Sequence, residues 1–403
     1  MSESPPNSHS KPIRILIIGA GISGLATALA LYHKNQKHPN LASFRITILE
    51  STPVLQEIGA GIQILPNSSR YLVEWGLEGM SWEGDIRRGG ILNEESVMHV
   101  KLGDRHWFIH RANYQQILYH AVLEAGIEIL LNHRVRNISS TNGKPTVHFQ
   151  DGRSMDADLV IGADGIHSET RNFVLGQEIK PLESTCCAYR VTIPASKMEF
   201  HPLTAKLLSE KFANLWMNRD EEGNWNEEGD IAELRECYEE WDPTIGALLG
   251  LVERVVKWKL GYLPPLERWA GRDGNAVVIG DAAHGMLPHL AQGAAVGLED
   301  GVALAEFLEG VNGVEDIPEK LVAFEGVRKE RCEIISKVAS LIPRRGEIRE
   351  KNGIKQLVKN FLRDSEFQTW LYNYDTVMEA SLTKKYLDVL SSEKEKGKIN
   401  EEN

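Results

Sequence analysis

The chain has 403 residues, 42% hydrophobic and 25% charged, an ordinary globular balance with material for two or three domains of roughly 150 residues each. Its 45 Lys+Arg against 57 Asp+Glu leave a formal charge of −12 and no basic stripe, which argues against a protein that tracks a nucleic-acid backbone. Cys186, Cys187, Cys237 and Cys332 make neither a disulfide framework nor a CxxC pair, and they fit a reducing, cytoplasmic setting.

Residues 1–12 are polar and Pro/Ser-rich, are expected to be disordered, and lack the apolar core of a signal peptide. The sequons at Asn67 and Asn137 carry no weight without secretion. The most apolar stretch, Ile15 to Tyr32, is broken by Gly19, Gly21, Ser23 and Gly24, so it reads as strand, turn and helix rather than as a membrane span. Within it, Gly19-Ala-Gly-Ile-Ser-Gly24 is GxGxxG in strand–turn–helix context. The first glycine permits the turn, the second lets a pyrophosphate approach the backbone, and the third lets helix and strand pack closely. A second strand, Phe44 to Leu49, ends in Glu50, the acid such a site uses for ribose hydroxyls. Glu50 would repel a 2′-phosphate, so NADP is not expected in this particular site. FAD and NAD both remain open at this point.

Two later elements repeat the pattern. Asp158–Arg171 (DLVIGADGIHSETR) runs from an apolar strand into Gly162, Asp164 and Gly165. Ala276–His284 (AVVIGDAAH) places Asp281 at a strand end, and Pro288–Ala294 (PHLAQGA) follows. A simple NAD dehydrogenase has no use for three such elements spread over about 300 residues, whereas an FAD bound along its whole length does.

The three motifs in this order, from about Ile13 to the WLYNYD stretch at Trp370–Asp375, resemble the class A FAD-dependent aromatic monooxygenases. That group includes salicylate hydroxylase and fungal secondary-metabolite hydroxylases. The resemblance implies an α/β fold: a Rossmann-like FAD-binding domain of the para-hydroxybenzoate hydroxylase type, with an inserted β-sheet substrate domain and C-terminal helices. The expected boundaries are 13–180 and 265–345 for the two parts of the FAD domain and 181–264 for a shortened substrate domain. A helical region at 346–390 and a disordered tail at 391–403 complete the chain.

Carried over residue by residue, the resemblance assigns Gly19, Gly21 and Gly24 to the ADP pyrophosphate and Glu50 to the adenosine ribose. Gly61, in EIGAGIQ (Glu57–Gln63), would lie near the ribityl chain and flavin ring, and Arg111, in HRANY, would contact FAD. Asp164 would touch flavin and help in NAD(P)H use, Asp281 would bond the ribitol, and Pro288, Gly293 and Ala294 would pass close to the isoalloxazine. The bland readings make Asp164 and Asp281 helix caps, Arg111 a surface ion-pair partner and Gly61 a turn residue.

Ala188–Pro194 looks like the first strand of the substrate sheet, and Arg190 matches an active-site arginine of fungal phenol and indole hydroxylases. A guanidinium stays charged and can pin a phenolate, carboxylate or carbonyl oxygen; the bland alternative pairs Arg190 with an acid in the sheet. The chain then departs from the pattern: no tyrosine occurs between Arg190 and Tyr238, and two or more strands of the family pattern are expected to be missing before Trp225. His106 and His110 lack the companions of a metal site, and none is expected.

The resemblance therefore implies an NADH- or NADPH-using enzyme in secondary metabolism or aromatic catabolism, whose FAD is reduced and takes up O₂ at C4a to oxygenate a small aromatic substrate. It implies neither a nucleic-acid nor a membrane partner. The competing expectation is an FAD-binding protein whose truncated substrate domain leaves it uncoupled or non-catalytic.

Overall fold

Five short apolar segments line up as parallel strands in the order Ala276–Val278, Leu159–Gly162, Ile13–Ile18, Phe44–Leu49, Glu128–Leu130. The near-continuous aliphatic runs explain the choice, since Ile15, Ile17, Ile48, Val160, Ile161 and Val277 are shielded from solvent by helices on both faces. This computed structural model describes residues 11–37, 44–55, 61–79, 87–88, 106–191, 193–209, 218–220, 227–272, 275–341 and 364–385.

The helix Ile22–Lys37 follows the first strand and packs against Gly293–Leu308 and Arg111–Glu124. Gly301 makes the first contact possible, because a side chain there would run into Thr27 of the facing helix. Two long helices, Gly293–Leu308 and Ile317–Leu341, follow in the later part of the chain. Two three-stranded antiparallel sheets flank the parallel one: Gly61–Ile64 with Trp107–His110 and Arg87–Arg88, and Val135–Thr141 with Lys144–Phe149 and Ser154–Asp156. The architecture is the Rossmann-like α/β fold expected from the motifs.

The middle of the chain forms a four-stranded antiparallel sheet in the order Asn218–Asp220, Leu182–Arg190, Val256–Tyr262, Glu227–Glu228. Among the described residues the two inner strands are the long ones. The expected first strand starts earlier than proposed and ends at Arg190. Short helices, Ala195–Met198, Pro202–Ser209, Ile231–Cys237 and Pro243–Gly250, accompany this sheet among the described residues. Its faces divide cleanly: Cys187 and Tyr189 pack with Leu234, Tyr238, Leu249 and Val255 into a separate small core, while Ala188, Trp258 and Leu260 join the main core. At the C-terminal end, Ser365–Tyr372 and residues 376–385 are helical. The expected disordered ends, 1–10 and 391–403, and residues 342–363 lie outside the described residues. Among the described residues no helix is long and apolar enough to cross a membrane.

A candidate dinucleotide and substrate site

The site is built where strands end. In the parallel sheet Ile18 pairs with Leu49 and Gly162, and Gly162 pairs with Val278, so three glycine-bearing turns leave the same carboxyl edge. That edge is where open α/β sheets bind ligands. The turns touch one another: a Cβ on Gly19 would collide with the Ala163 carbonyl, and one on Gly280 would overlap the Ser23 hydroxyl. Gly19 itself sits at φ +106°, which L side chains rarely adopt, and a Cβ on Gly24 would fall on the Gly19 carbonyl. Gly21 differs from both, because a Cβ there would meet nothing within 4 Å. The first and third glycines thus serve close packing, while the second faces open space of the kind a pyrophosphate needs.

Glu50 braces this loop. Its Oε2 accepts the Ala20 amide at 2.9 Å, and Oε1 accepts the Thr52 amide at 2.8 Å and hydroxyls from Ser51 and Thr52. From the other side Gln115 Nε2 donates to the Ala20 carbonyl at 2.9 Å, and the Gln115 Oε1 is buried with no hydrogen-bond partner. Gln115 escaped the sequence reading, although it lies one helical turn after Arg111 on Arg111–Glu124. Gly61 opens its strand directly opposite His110, so Gly61 and Arg111 are neighbours across the register. Residues 56–60, the rest of the EIGAG loop, lie outside the described residues.

The two aspartates have different fates. Asp164 turns its carboxylate inward: Oδ1 accepts the Ser168 hydroxyl at 2.5 Å and Oδ2 accepts the Thr170 amide and hydroxyl at 3.0 Å. Burial pushes this carboxyl above its ordinary range, against those hydrogen bonds. Asp164 therefore organises the start of the helix Glu169–Leu175, close to its bland reading, although Ser168 is the residue that caps it. Asp281 is exposed at the first position of Asp281–His284, and no hydrogen-bond partner for it exists among the described residues. The cap position belongs to Gly280, so the capping reading of Asp281 fails. Arg171 joins the two turns, donating to the carbonyls of Ile166, Ile179 and Ala282 from a buried position.

Pro288 opens a single turn, Pro288–Leu290, and Gly293 and Ala294 begin the long helix Gly293–Leu308. That helix has no side-chain N-cap and no acid in its first turn, so its first amides and its positive dipole end are unneutralised by the helix's own side chains. Pro288, His289, Gly293 and Ala294 are half-buried, and burial pushes His289 down to about 4, leaving it neutral at pH 7.

Behind these loops lies a charge cluster that the sequence did not announce. Asp300 accepts the Gly280 amide at 2.9 Å, meets His284 Nε2 at 2.6 Å and accepts Arg328 Nε at 2.9 Å. Glu299 pairs with Arg328 and Arg331, and accepts Asn67 Nδ2, which also donates to Gln292 Oε1. Asn67, which carries a sequon, is fully buried. Ligand-type atoms of His284, Asp300 and Cys332 fall within 4.8 Å of one another, but Arg328 reaches both Asp300 and Cys332, so this donor set is spent on its own ion pairs.

In the middle sheet, Arg190 pairs in register with Val256, and Ala188 with Trp258. The Arg190 guanidinium carbon sits 4.3 Å from the centroid of the Trp258 ring. The same strand is tied to the Asp281 turn, since the Leu263 amide donates to the Gly285 carbonyl at 2.7 Å.

Comparison with known proteins agrees with this geometry. Residues 1–184 match the family model of pyridine nucleotide-disulphide oxidoreductases. The chain is 27% identical over 429 residues to the FAD-dependent monooxygenase OpS4 of Beauveria bassiana, covering 93% of this chain and 97% of that one. It is 28% identical over 422 residues to salicylate hydroxylase of Pseudomonas putida, covering 92% and 93%. Along nearly its whole length the chain is thus similar to proteins named FAD-dependent monooxygenase or hydroxylase. In fold it is similar to the crystal structure of CtdE in complex with FAD and substrate 4, with TM-score 0.72 and 20% identity over 94% of this chain and 100% of that one.

Proposed function

We propose that the chain is an FAD-dependent, NAD(P)H-using monooxygenase that hydroxylates an electron-rich phenolic, salicylate-like or indole ring. The observation that carries the reading is the meeting of all three turns at one sheet edge, with open space at Gly21 and a free carboxylate at Asp281. Those residues fit an extended FAD, and relatives along the whole chain are named FAD-dependent monooxygenase and salicylate hydroxylase.

When bound and reduced by NADH or NADPH, FAD supplies the activation of O₂ for transfer of one oxygen atom to the ring. The chain's share is binding, orientation and exclusion of water. Gly19, Gly21 and Gly24 hold the pyrophosphate, Glu50 the adenosine ribose, and Asp281 the ribitol. Gly61 and Arg111 line the flavin side. Pro288, Gly293 and Ala294 bring the start of a long helix toward the ring system, where its dipole favours negative charge. Asp164 holds the adjoining turn in shape. Arg190 orients the substrate through an oxygen anion. The FAD domain spans 13–180 and 265–345 around a substrate domain at 181–264, and the setting is cytoplasmic.

The sequence keeps a second reading in play, since no tyrosine occurs between Arg190 and Tyr238: a flavoprotein whose shortened substrate sheet leaves it uncoupled or non-catalytic. One assay separates the two. FAD-loaded protein is mixed with NADPH or NADH and a panel of phenols, salicylates and indoles, with nicotinamide oxidation, H₂O₂ and products followed together. A ring that accelerates nicotinamide oxidation and appears one oxygen atom heavier supports the hydroxylase. Peroxide alone with every ring supports the uncoupled form.

A further inference from the structure

We propose that Trp258 is the positioning residue for Arg190, holding its guanidinium over the indole face so that its N–H edge is presented to an oxygen anion of the substrate. The inference rests on the reading of Arg190 given above and adds a residue that no motif singled out.

Register places the pair. Ala188 lies opposite Trp258 and Arg190 opposite Val256, so Arg190 and Trp258 are diagonal neighbours on one face of the sheet. Side chains alternate along these strands, and Cys187 and Tyr189 turn toward the small helical core. Ala188, Trp258 and Leu260 turn the other way, into the core shared with the parallel sheet. Arg190 and Trp258 therefore face the part of the molecule that carries the dinucleotide turns. The bond from Leu263 to Gly285 fixes the strand of Trp258 against the end of Asp281–His284, so the position of the ring is registered to the turn that holds Asp281.

The chemistry of the contact explains why a ring suits this job. A guanidinium on its long, flexible stem at a strand end would lose conformational freedom each time it gripped a substrate. With its Cζ 4.3 Å from the Trp258 centroid, Arg190 is held before substrate arrives. A cation–π contact engages the face of the guanidinium and leaves in-plane N–H groups to donate. It also favours the charged form of the arginine, which is the form that binds an anion.

The test uses the full-length, FAD-loaded protein. Fluorinated tryptophans are incorporated at position 258 alone, grading the ring quadrupole at nearly constant volume, beside W258F and W258L. The readout is the rate at which phenylglyoxal, which attacks the neutral guanidine, modifies Arg190, measured by peptide mass spectrometry against the exposed Arg272. The rate is expected to rise with each added fluorine, reaching roughly threefold for W258L and less for W258F. A rate indifferent to fluorination overturns the proposal, as does a loss of FAD occupancy in W258L with Arg190 reactivity unchanged. Should W258L fail to fold, the isosteric fluorinated series still decides. The measurement requires no turnover, so its failure is distinct from failure of the monooxygenase reading. With a ring that is turned over, W258L is expected to raise KM while kcat stays within about twofold.

Discussion

Asp300 and His284 meet at 2.6 Å in the interior, and the same Asp300 oxygen that faces the ring accepts the amide of Gly280. One buried carboxylate thus fixes the turn that presents Asp281 to the site. Burial alone would raise the Asp300 carboxyl, but the charges of His284 and Arg328 outweigh it and hold it at about 2. Burial alone would lower His284, but the neighbouring Cys332 and the Asp300 carboxylate hold it well above its ordinary value.

The signs of these shifts give a pH profile. The Asp300 contribution to stability is complete above its unfolded value of roughly 4 and is lost as pH falls toward about 2. The His284 contribution is complete below roughly 6.5 and is lost as pH rises through the raised folded value. This pair therefore stabilises the protein most between about pH 4 and 6.5. Asp300→Asn should flatten both arms and cost about 3–5 kcal/mol, because it strands Arg328 and His284 in the interior. Urea denaturation across pH measures both effects, and an unchanged profile would show that the pair is energetically idle.

The glycines of the first turn should separate by role. Gly24→Ala drives a methyl into the Gly19 carbonyl and is expected to abolish soluble folding. Gly21→Ala places its methyl in open space, so the cofactor-free protein should melt within a few degrees of wild type while FAD affinity falls about a hundredfold. Thermal melts with and without FAD read both quantities. Equal damage from the two substitutions would contradict the division of labour.

Asp164 should prove structural before it proves catalytic. Asp164→Ala leaves Ser168 and Thr170 without their shared acceptor and is expected to cost about 1–3 kcal/mol. Asp164→Asn keeps one acceptor oxygen and should cost less. A variant of wild-type stability whose flavin is reduced slowly by NADPH would instead restore the role implied by the family resemblance.

Arg190→Lys keeps the charge but loses the planar fork. It is expected to lower kcat/KM for a phenolic substrate roughly ten- to a hundredfold while FAD occupancy stays at the wild-type level. Steady-state kinetics alongside the flavin spectrum checks both halves. Loss of FAD would move Arg190 from the substrate to the cofactor.

The sheet, its order of use and the glycine turn were legible because they rest on local signals: aliphatic runs, a turn that tolerates only glycine, and acids at strand ends. Glu50 and Asp281 stood out by their spacing from those turns. Gln115, Asn67 and the Glu299–Arg331 cluster did not, because each acts through partners distant in sequence; the Asn67–Glu299 bond spans 232 residues. Asn67 was visible only as a sequon given no weight, and its full burial gives it a structural part instead. Trp258 was equally silent, since its meaning depends on the antiparallel register that sets it diagonal to Arg190.

A monooxygenase of the kind proposed inserts one atom of O₂ into the substrate ring. Isotopically labelled O₂ tests it most directly, supplied to FAD-loaded protein with NADPH and whichever phenol, salicylate or indole accelerates nicotinamide oxidation. One labelled oxygen atom is expected in the ring product and none when the label is in water. Label found only in peroxide, with the ring recovered unchanged, would contradict it.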